Sequence, residues 1–112
     1  METSKALTKY VRISQFKVRR IANELLNKSV LDAEAFLSVM TNKGALAIKK
    51  TIHSARSNYM SKNPNADEQN LIVKKILINQ GSMLKRFHPI GRGRVGRILK
   101  RSCHIYVEVG EK

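Results

Sequence analysis

Two apolar stretches in the C-terminal half decide the fold: residues 71–79 read LIVKKILIN and residues 102–109 read SCHIYVEV. The first is rich in β-branched residues, and the second alternates between apolar and polar residues. Both patterns are typical of β-strands. The alternation in the second places four residues on one face: Cys103, Ile105, Val107 and Val109. An antiparallel pairing is the simplest way to join the two strands, because parallel strands need a long crossover.

The segment between these strands, residues 81–101, is purely basic. It reads GSMLKRFHPIGRGRVGRILKR, with seven Lys and Arg side chains, no acid and four of the six glycines. A structureless loop of about 20 residues is unusual inside a compact domain. The sequence therefore predicts a long two-stranded antiparallel arm over residues 81–101 that projects from the body.

The chain before these strands predicts one more strand and three helices. Residues 5–13 alternate as a strand would, with Leu7, Val11 and Ile13 on one side. Ser14 is a good N-cap for a first helix. The apolar residues of that helix recur at helical spacing: Val18, Ile21, Ala22 and Leu25.

The second and third helices follow directly. Ser29 and Asp32 resemble a capping box and open a helix that runs to about Met40. Its predicted inward side consists of four residues: Val30, Ala33, Leu37 and Met40. Thr41 or Asn42 caps the third helix, which ends before Pro64. Its apolar residues are Ala45, Ile48, Ile52, Ala55 and Tyr59.

The order strand, three helices, strand, arm, strand indicates an α+β fold rather than a parallel βαβ fold. The 112 residues and 12.7 kDa correspond to one domain, residues 1–112. The sequence has no apolar run of transmembrane length and no signal-peptide pattern, so we expect an intracellular protein without a membrane partner.

The net charge implies a polyanionic partner. The chain carries 22 Lys and Arg against 8 Asp and Glu, a formal charge of +14. Nucleic acid is the class that this charge and its clustering favour. Arg suits phosphate because its planar guanidinium offers paired donors. Five arginines in or beside the arm could serve: Arg86, Arg92, Arg94, Arg97 and Arg101. Phe87 and His88 could stack on bases.

A second basic group surrounds the start of the first helix: Lys9, Arg12, Lys17, Arg19 and Arg20. A helix N-terminus is itself a phosphate site, so this group is a second candidate for nucleic-acid binding. A merely solvated helix face is the alternative interpretation. Four aromatic residues are interpreted as core rather than as stacking platforms: Tyr10, Phe16, Phe36 and Tyr59.

Catalytic and metal-binding patterns are missing from the sequence. Cys103 is the single cysteine and alternates with apolar residues, which predicts an inert core thiol. His104 is adjacent to Cys103, and neighbours on a strand point to opposite faces. The acids and the three histidines are dispersed. We therefore expect no enzyme, no cofactor and no metal. The GRGRVG run, residues 91–96, lacks the βαβ context of a dinucleotide fingerprint.

Several motifs resemble the bacterial large-subunit ribosomal protein 22 family over nearly the whole chain. They are KYVRIS at 9–14, KxR at 17–19, NKSV at 27–30, LKRFxP at 84–89, GR at 93–94 and RILKRSxHI at 97–105. The resemblance implies three helices against a small antiparallel sheet, with a long β-hairpin. It also implies a cytoplasmic ribosomal protein that binds large-subunit ribosomal RNA, organises it during assembly and sends its hairpin to the nascent-peptide tunnel.

The resemblance also implies partners and site residues. Partners would be ribosomal RNA, neighbouring ribosomal proteins and the nascent peptide, without homo-oligomers. The predicted tunnel tip is Ile90, Gly91, Arg92, Gly93, Arg94 and Val95. The full predicted RNA-binding set is Lys9, Arg12, Lys17, Arg19, Arg20, Lys85, Arg86, His88, Arg92, Arg94, Arg97, Lys100, Arg101 and His104.

Two other functions compete with this one. A free regulatory or nucleoid protein would also need the charge, but a duplex-DNA architectural protein would usually offer a dimer or a recognition helix. An RNA-modifying enzyme would need a cofactor pocket or clustered acids and histidines.

Overall fold

The computed structural model describes residues 3–81, 84–91 and 94–111, with the course of the backbone alone for 84–91 and 94–100. The elements follow the predicted order. They are β1 (Thr3–Val11), α1 (Gln15–Ala22), α2 (Val30–Ser38), α3 (Lys43–Lys62), a 3₁₀ turn (Glu68–Asn70), β2 (Leu71–Gln80), β3 (Leu84–Gly91), β4 (Arg94–Lys100) and β5 (Cys103–Glu111).

β5 is the central strand of a three-stranded antiparallel sheet with the order β1-β5-β2. Its alternation is confirmed, because Cys103, Ile105, Val107 and Val109 are all fully buried. The three helices cover this face of the sheet: α3 packs on β1 and β5, while α1 and α2 contact β2. The α+β fold and its helix layer are therefore as the sequence predicts.

The helices bury the residues that their spacing indicates. Val18, Ile21 and Leu25 of the first group are buried, although Leu25 lies in the turn after α1. The buried residues of the other two helices agree with the prediction: Val30, Ala33, Leu37, Ala45, Ile48, Ile52, Ala55 and Tyr59. Met40, also predicted to face inward, lies after the end of α2 and is only partly buried. The capping box is wrong, since Ser29 makes no side-chain cap hydrogen bond and instead forms a β-bridge with Ile72.

Both strands beside β5 contain a bulge. Beyond the bulge, the alternation shifts by one residue, so the opposite set of side chains faces the helices. In β1 the register shifts between Thr8 and Val11. Ser4, and in part Thr8, therefore face the helices before the bulge. The prediction that Leu7 points inward is wrong, because its side chain is 51 % exposed. An added residue in one strand exchanges the two faces beyond it, so Val11 is still partly buried as predicted.

The bulge in β2 lies between Val73 and Lys75 and explains the double lysine in its sequence. Val73 is buried before it and Ile78 after it, although the two are five residues apart and would point to opposite faces of a regular strand. Bulges of this kind also discourage edge strands from pairing with other chains.

Among the described residues, β3 and β4 pair with each other alone, in an antiparallel ladder that runs from Leu84↔Lys100 to Gly91↔Arg94. The two-stranded pairing predicted for residues 81–101 is therefore present. Its projection from the body, and the treatment of the chain as one domain, stay predictions. At the base, the Gly81 N–H donates to the Ser102 carbonyl at 3.0 Å, where the β2–β5 ladder ends.

Candidate nucleic-acid interface

A cleft of about 860 Å³ opens beside the start of α1. Three parts of the chain meet there: the loop after β1, the first turns of α1 and α3, and the junction between β4 and β5. We call it the cationic cleft and define it by its lining residues: Arg12, Ile13, Ser14, Phe16, Lys17, Arg20, Ile21, Asn42, Lys43, Gly44 and Arg101.

Five of these lining residues are cations: Arg12, Lys17, Arg20, Lys43 and Arg101. All five are exposed to solvent. Asp and Glu do not occur among the lining residues that the structure describes. Like charges that share a concave surface repel one another and focus a positive potential, so the cleft attracts a polyanion.

The packing of α1 against α3 creates this concentration of charge. Val18 and Ile21 of α1 are buried, which leaves their neighbours Lys17 and Arg20 on the outer side of the helix. Gly44 of α3 lies against α1, so close that a Cβ on it would sit 3.4 Å from Val18 Cγ2. The two helix starts therefore lie side by side, and Lys43 joins the cations of α1.

Both helix starts also lack a side-chain cap. The N-cap residues Ser14 and Asn42 make no side-chain cap hydrogen bond, and neither first turn contains an acid. The first N–H groups of a helix lack internal partners and carry the positive end of its dipole. An anion in the cationic cleft would meet these groups in addition to the five side-chain charges.

The structure brings together four of the predicted RNA-binding residues: Arg12, Lys17, Arg20 and Arg101. Three others on the body lie outside the cleft: Lys9, Arg19 and His104. Arg19 Nη2 donates to the Ile78 carbonyl at 2.6 Å and so ties α1 to β2. His104 Nδ1 accepts the backbone N–H of Tyr10 at 3.0 Å. Their RNA contacts stay predictions.

The prediction of RNA-binding residues missed Lys43 and Phe16. Lys43 is the first residue of α3, and a cation there opposes the helix dipole. A cation at the start of a helix is therefore a feature of the sequence that indicates an external anion at that position. Phe16 was interpreted as core, but its side chain is 61 % exposed. It lies two positions before the buried Val18, on the outer side of α1, so helical spacing already argued against burial.

Of the other aromatic residues predicted to lie in the core, some are buried and one is not. Tyr59 is buried and Phe36 packs partly against the core, as expected. Tyr10 was also interpreted as core, and this is wrong because its side chain is 63 % exposed. The bulge in β1 gives Tyr10 a left-handed backbone, with a φ of 57°, and turns its side chain outward.

The arm residues are placed by their backbone. Lys85, Arg86 and His88 lie on β3, and Arg97 and Lys100 lie on β4. In the predicted tip, Ile90 and Gly91 end β3, while Arg94 and Val95 begin β4. Arg92 and Gly93 lie outside the described residues. Arg101 comes directly after β4, so the cationic cleft adjoins the root of the arm.

Other polar side chains among the described residues make contacts within the fold. Glu34 accepts from Arg56 Nη1 at 2.9 Å and lies 3.5 Å from His53 on the surface of α2 and α3. Cys103 is buried, and burial raises the pKa of its thiol. In the ranges 3–81, 84–91 and 94–111, no three His, Cys, Asp or Glu residues gather as metal ligands. No described helix is long and apolar enough to cross a bilayer.

Comparison with known proteins finds similarity over most of the chain. The family model described as ribosomal protein L22p/L17e matches residues 6–110. A large ribosomal subunit protein uL22 of Treponema denticola is 45 % identical over 108 residues, which cover 96 % of this chain and 92 % of that protein. The uL22 of Desulfosudis oleivorans is 42 % identical over 112 residues, covering 100 % and 96 %. The uL22 of Borreliella afzelii is 43 % identical over 96 residues, covering 86 % and 80 %.

All three relatives are named as proteins of the large ribosomal subunit. Both the family model and the relatives extend over the sheet, the three helices and the paired arm. On this evidence the chain belongs to the L22p/L17e family of ribosomal proteins.

Proposed function

We propose that the chain is a structural component of the large subunit of cytoplasmic ribosomes and that it binds and organises large-subunit ribosomal RNA during assembly. The observation that carries this proposal is the cationic cleft, where five exposed cations and two helix starts share one concave surface. The names of the relatives, which are large-subunit proteins, support the choice of RNA.

RNA contacts made in the cleft would continue into the arm. Arg101 lines the cleft and directly follows β4, so RNA backbone held in the cleft can continue along the arm. Phosphates would be bound by Arg12, Lys17 and Arg20 on the body and by Arg86, Arg97 and Lys100 along the arm. Contacts of this kind release counterions, so RNA affinity falls steeply with salt. Shape and 2′-hydroxyl contacts then fix the register.

The arm would extend to the nascent-peptide tunnel, with its tip at residues 90–95. Support comes from the pairing of β3 with β4 in a two-stranded sheet separate from that of the body, as the described residues have it. A two-stranded ribbon is marginally stable by itself, and RNA packed around it would supply the missing contacts. Neighbouring ribosomal proteins and the nascent peptide are further proposed partners.

The test compares two triple variants that lose the same charge. One replaces Arg12, Lys17 and Arg20 with Gln. The control replaces Lys50, Lys62 and Lys75, which are exposed and do not line the cleft. RNA affinity is measured against salt, and co-sedimentation with the large subunit is measured at moderate salt. We expect the cleft variant to lose about 2 from the salt slope, at roughly 0.7 for each lost contact.

The salt dependence of RNA affinity should fall clearly less in the control variant than in the cleft variant. The control should also co-sediment with the large subunit as the unmodified chain does. Equal losses in both variants would mean that the cleft is not an RNA site. A chain that binds duplex DNA and does not co-sediment with large subunits would instead be a free regulatory or nucleoid protein.

The tunnel placement has a separate test. Deleting residues 91–94 should leave incorporation into the subunit nearly intact, because the cleft and the arm base keep their cations. It should change macrolide sensitivity or stalling on regulatory nascent peptides. Normal assembly with neither change would contradict the placement of the tip.

A further inference from the structure

Phe16 lies exposed inside the cationic cleft instead of in the core. It is the second residue of α1, and its side chain lines the cleft together with Arg12, Lys17 and Arg20. The contrast with Phe36 is informative, because the ammonium of Lys28 lies 5.1 Å from the centroid of that ring, and Phe36 packs partly against the core. The ring of Phe16 is therefore exposed to solvent among the five cations of the cleft.

Apolar exposure of this kind contributes nothing to the fold. Burying a Phe side chain stabilises a fold, and Phe16, which is 61 % exposed, forgoes most of that gain. A cleft built only to hold a phosphate backbone would need cations and amide groups, both of which are already present. An aromatic face adds the capacity to stack on a planar ring.

The combination of cations and an aromatic ring is the chemistry of single-stranded nucleic-acid binding. In such sites a basic groove follows the backbone, while bases stack on aromatic side chains. The duplex regions of RNA keep their bases inside and expose only phosphate, sugar and groove edges. The cleft volume of about 860 Å³ also lies within the range of pockets that take small organic ligands, roughly 300–1,000 Å³, so a nucleotide fits.

Asn42 adds a polar group to the cleft at the start of α3. It is the N-cap of α3, yet its side chain makes no cap hydrogen bond and lines the cleft. An amide offers both donors and acceptors and can pair with the edge of a base. The cleft therefore offers groups for each part of a nucleotide: cations for phosphate, a ring for the base face and an amide for the base edge.

We propose that the cationic cleft takes an unpaired nucleotide of RNA, with its base stacked on the ring of Phe16 and its phosphates bound by Arg12, Lys17 and Arg20. This inference rests on the proposed RNA-binding function and specifies the structure of the RNA at that site. Stacking tolerates any base, so base preference at the cleft is modest.

The experiment uses the full chain, which contains no tryptophan. Phe16→Trp then places the variant's single tryptophan in the cleft, where it can be excited selectively over the three tyrosines. The probes are a 12-nucleotide oligo(A) strand and a 12-base-pair RNA duplex without unpaired nucleotides, both at the same salt. We expect oligo(A) to quench the fluorescence at saturation and the duplex to leave it nearly unchanged.

Affinity supplies the second measurement. Phe16→Ala should weaken oligo(A) binding by about five- to a hundredfold, the range for loss of one stacked base, and should change duplex binding by less than about twofold. Leu46→Ala is the matched control, since Leu46 is also exposed near the start of α3, at 53 %, but does not line the cleft. That variant should bind both probes as the unmodified chain does.

The outcomes separate the two proposals. If saturating oligo(A) leaves the tryptophan unquenched and Phe16→Ala binds it normally, while Arg20→Gln still weakens RNA binding, the stacked nucleotide is wrong and the RNA-binding cleft stands. If Arg20→Gln also changes nothing, the cleft is not an RNA site, and both proposals fail. Equal quenching by the duplex would likewise overturn the unpaired nucleotide.

Discussion

His104 Nδ1 accepts the backbone N–H of Tyr10 at 3.0 Å, and the two rings meet edge to face with centroids 4.9 Å apart. An accepting Nδ1 carries no proton, so the ring proton lies on Nε2. Tyr10 is the left-handed residue of the β1 bulge. The imidazole of the central strand therefore holds the bulge of its neighbour, close to the root of the arm at Gly81.

This contact predicts that His104→Leu destabilises the bulge. Loss of the acceptor should lower the free energy of unfolding by about 1 kcal/mol. His104→Asn keeps an acceptor at a similar distance from the backbone and should lose less. Urea denaturation measures both, and hydrogen exchange at the Tyr10 amide should accelerate in the Leu variant alone. Equal stability of the two variants would contradict a role for the hydrogen bond.

Arg19 and Arg20 are neighbours with different predicted roles. Arg19 donates to the Ile78 carbonyl, whereas Arg20 lines the cationic cleft. Arg19→Gln should therefore lower the free energy of unfolding by about 1 kcal/mol and change RNA affinity less. Arg20→Gln should leave stability within about 0.5 kcal/mol and weaken RNA binding more. Thermal unfolding and an RNA titration of both variants test these roles. If Arg20→Gln lowered stability and Arg19→Gln weakened RNA binding more, the two assignments would have to be exchanged.

The Thr8–Thr51 hydroxyl pair joins β1 to α3, at 2.7 Å. Thr51 Oγ1 donates to the Ala47 carbonyl at 2.9 Å, and a hydroxyl has one proton, so Thr8 must be the donor in the pair. Each single change to Val should cost about 1 kcal/mol. The double variant should lose less than the sum, by about 0.5 kcal/mol or more. Strict additivity in the double-mutant cycle would show that the pair is not coupled.

The Cys103 thiol should be inert in the folded chain. It is buried, and desolvation raises its pKa above the ordinary value. Because the pKa of the thiol is higher in the folded than in the unfolded chain, the shift stabilises the fold at pH values below the ordinary thiol pKa. That stabilisation is lost as the pH rises through the folded-state pKa. Cys103→Val should therefore flatten part of the alkaline loss of stability. Because the chain has one cysteine, labelling by a thiol reagent should follow unfolding, and rapid labelling of the native chain would contradict burial.

The body should fold without the arm. The Gly81–Ser102 hydrogen bond closes the β2–β5 ladder, so a short Asn-Gly turn in place of residues 82–100 can join the two strands. The helix layer and the three-stranded sheet keep their core residues in this variant. Thermal unfolding should stay cooperative, with a midpoint within a few degrees of the full chain. A broad, non-cooperative transition would show that the arm belongs to the core.

Periodicity was sufficient wherever an element is regular along its length. The helices α1, α2 and α3 each bury the residues that their spacing indicates, and β5 alternates without interruption. Local spacing fixes which side chains share a face, and the net charge of +14 favours a polyanionic partner. These features need no knowledge of what lies across the sheet.

Only the tertiary structure decided which faces turn inward and which cations meet. The bulges near Tyr10 and Lys74 reverse β1 and β2 against the regular ladder of β5, so Leu7 is exposed against its pattern. A bulge depends on the register of the neighbouring strand, which local sequence does not specify. The cationic cleft likewise requires α1, α3 and Arg101 to approach one another across about 90 positions of sequence, and side-chain packing at Gly44 sets that approach.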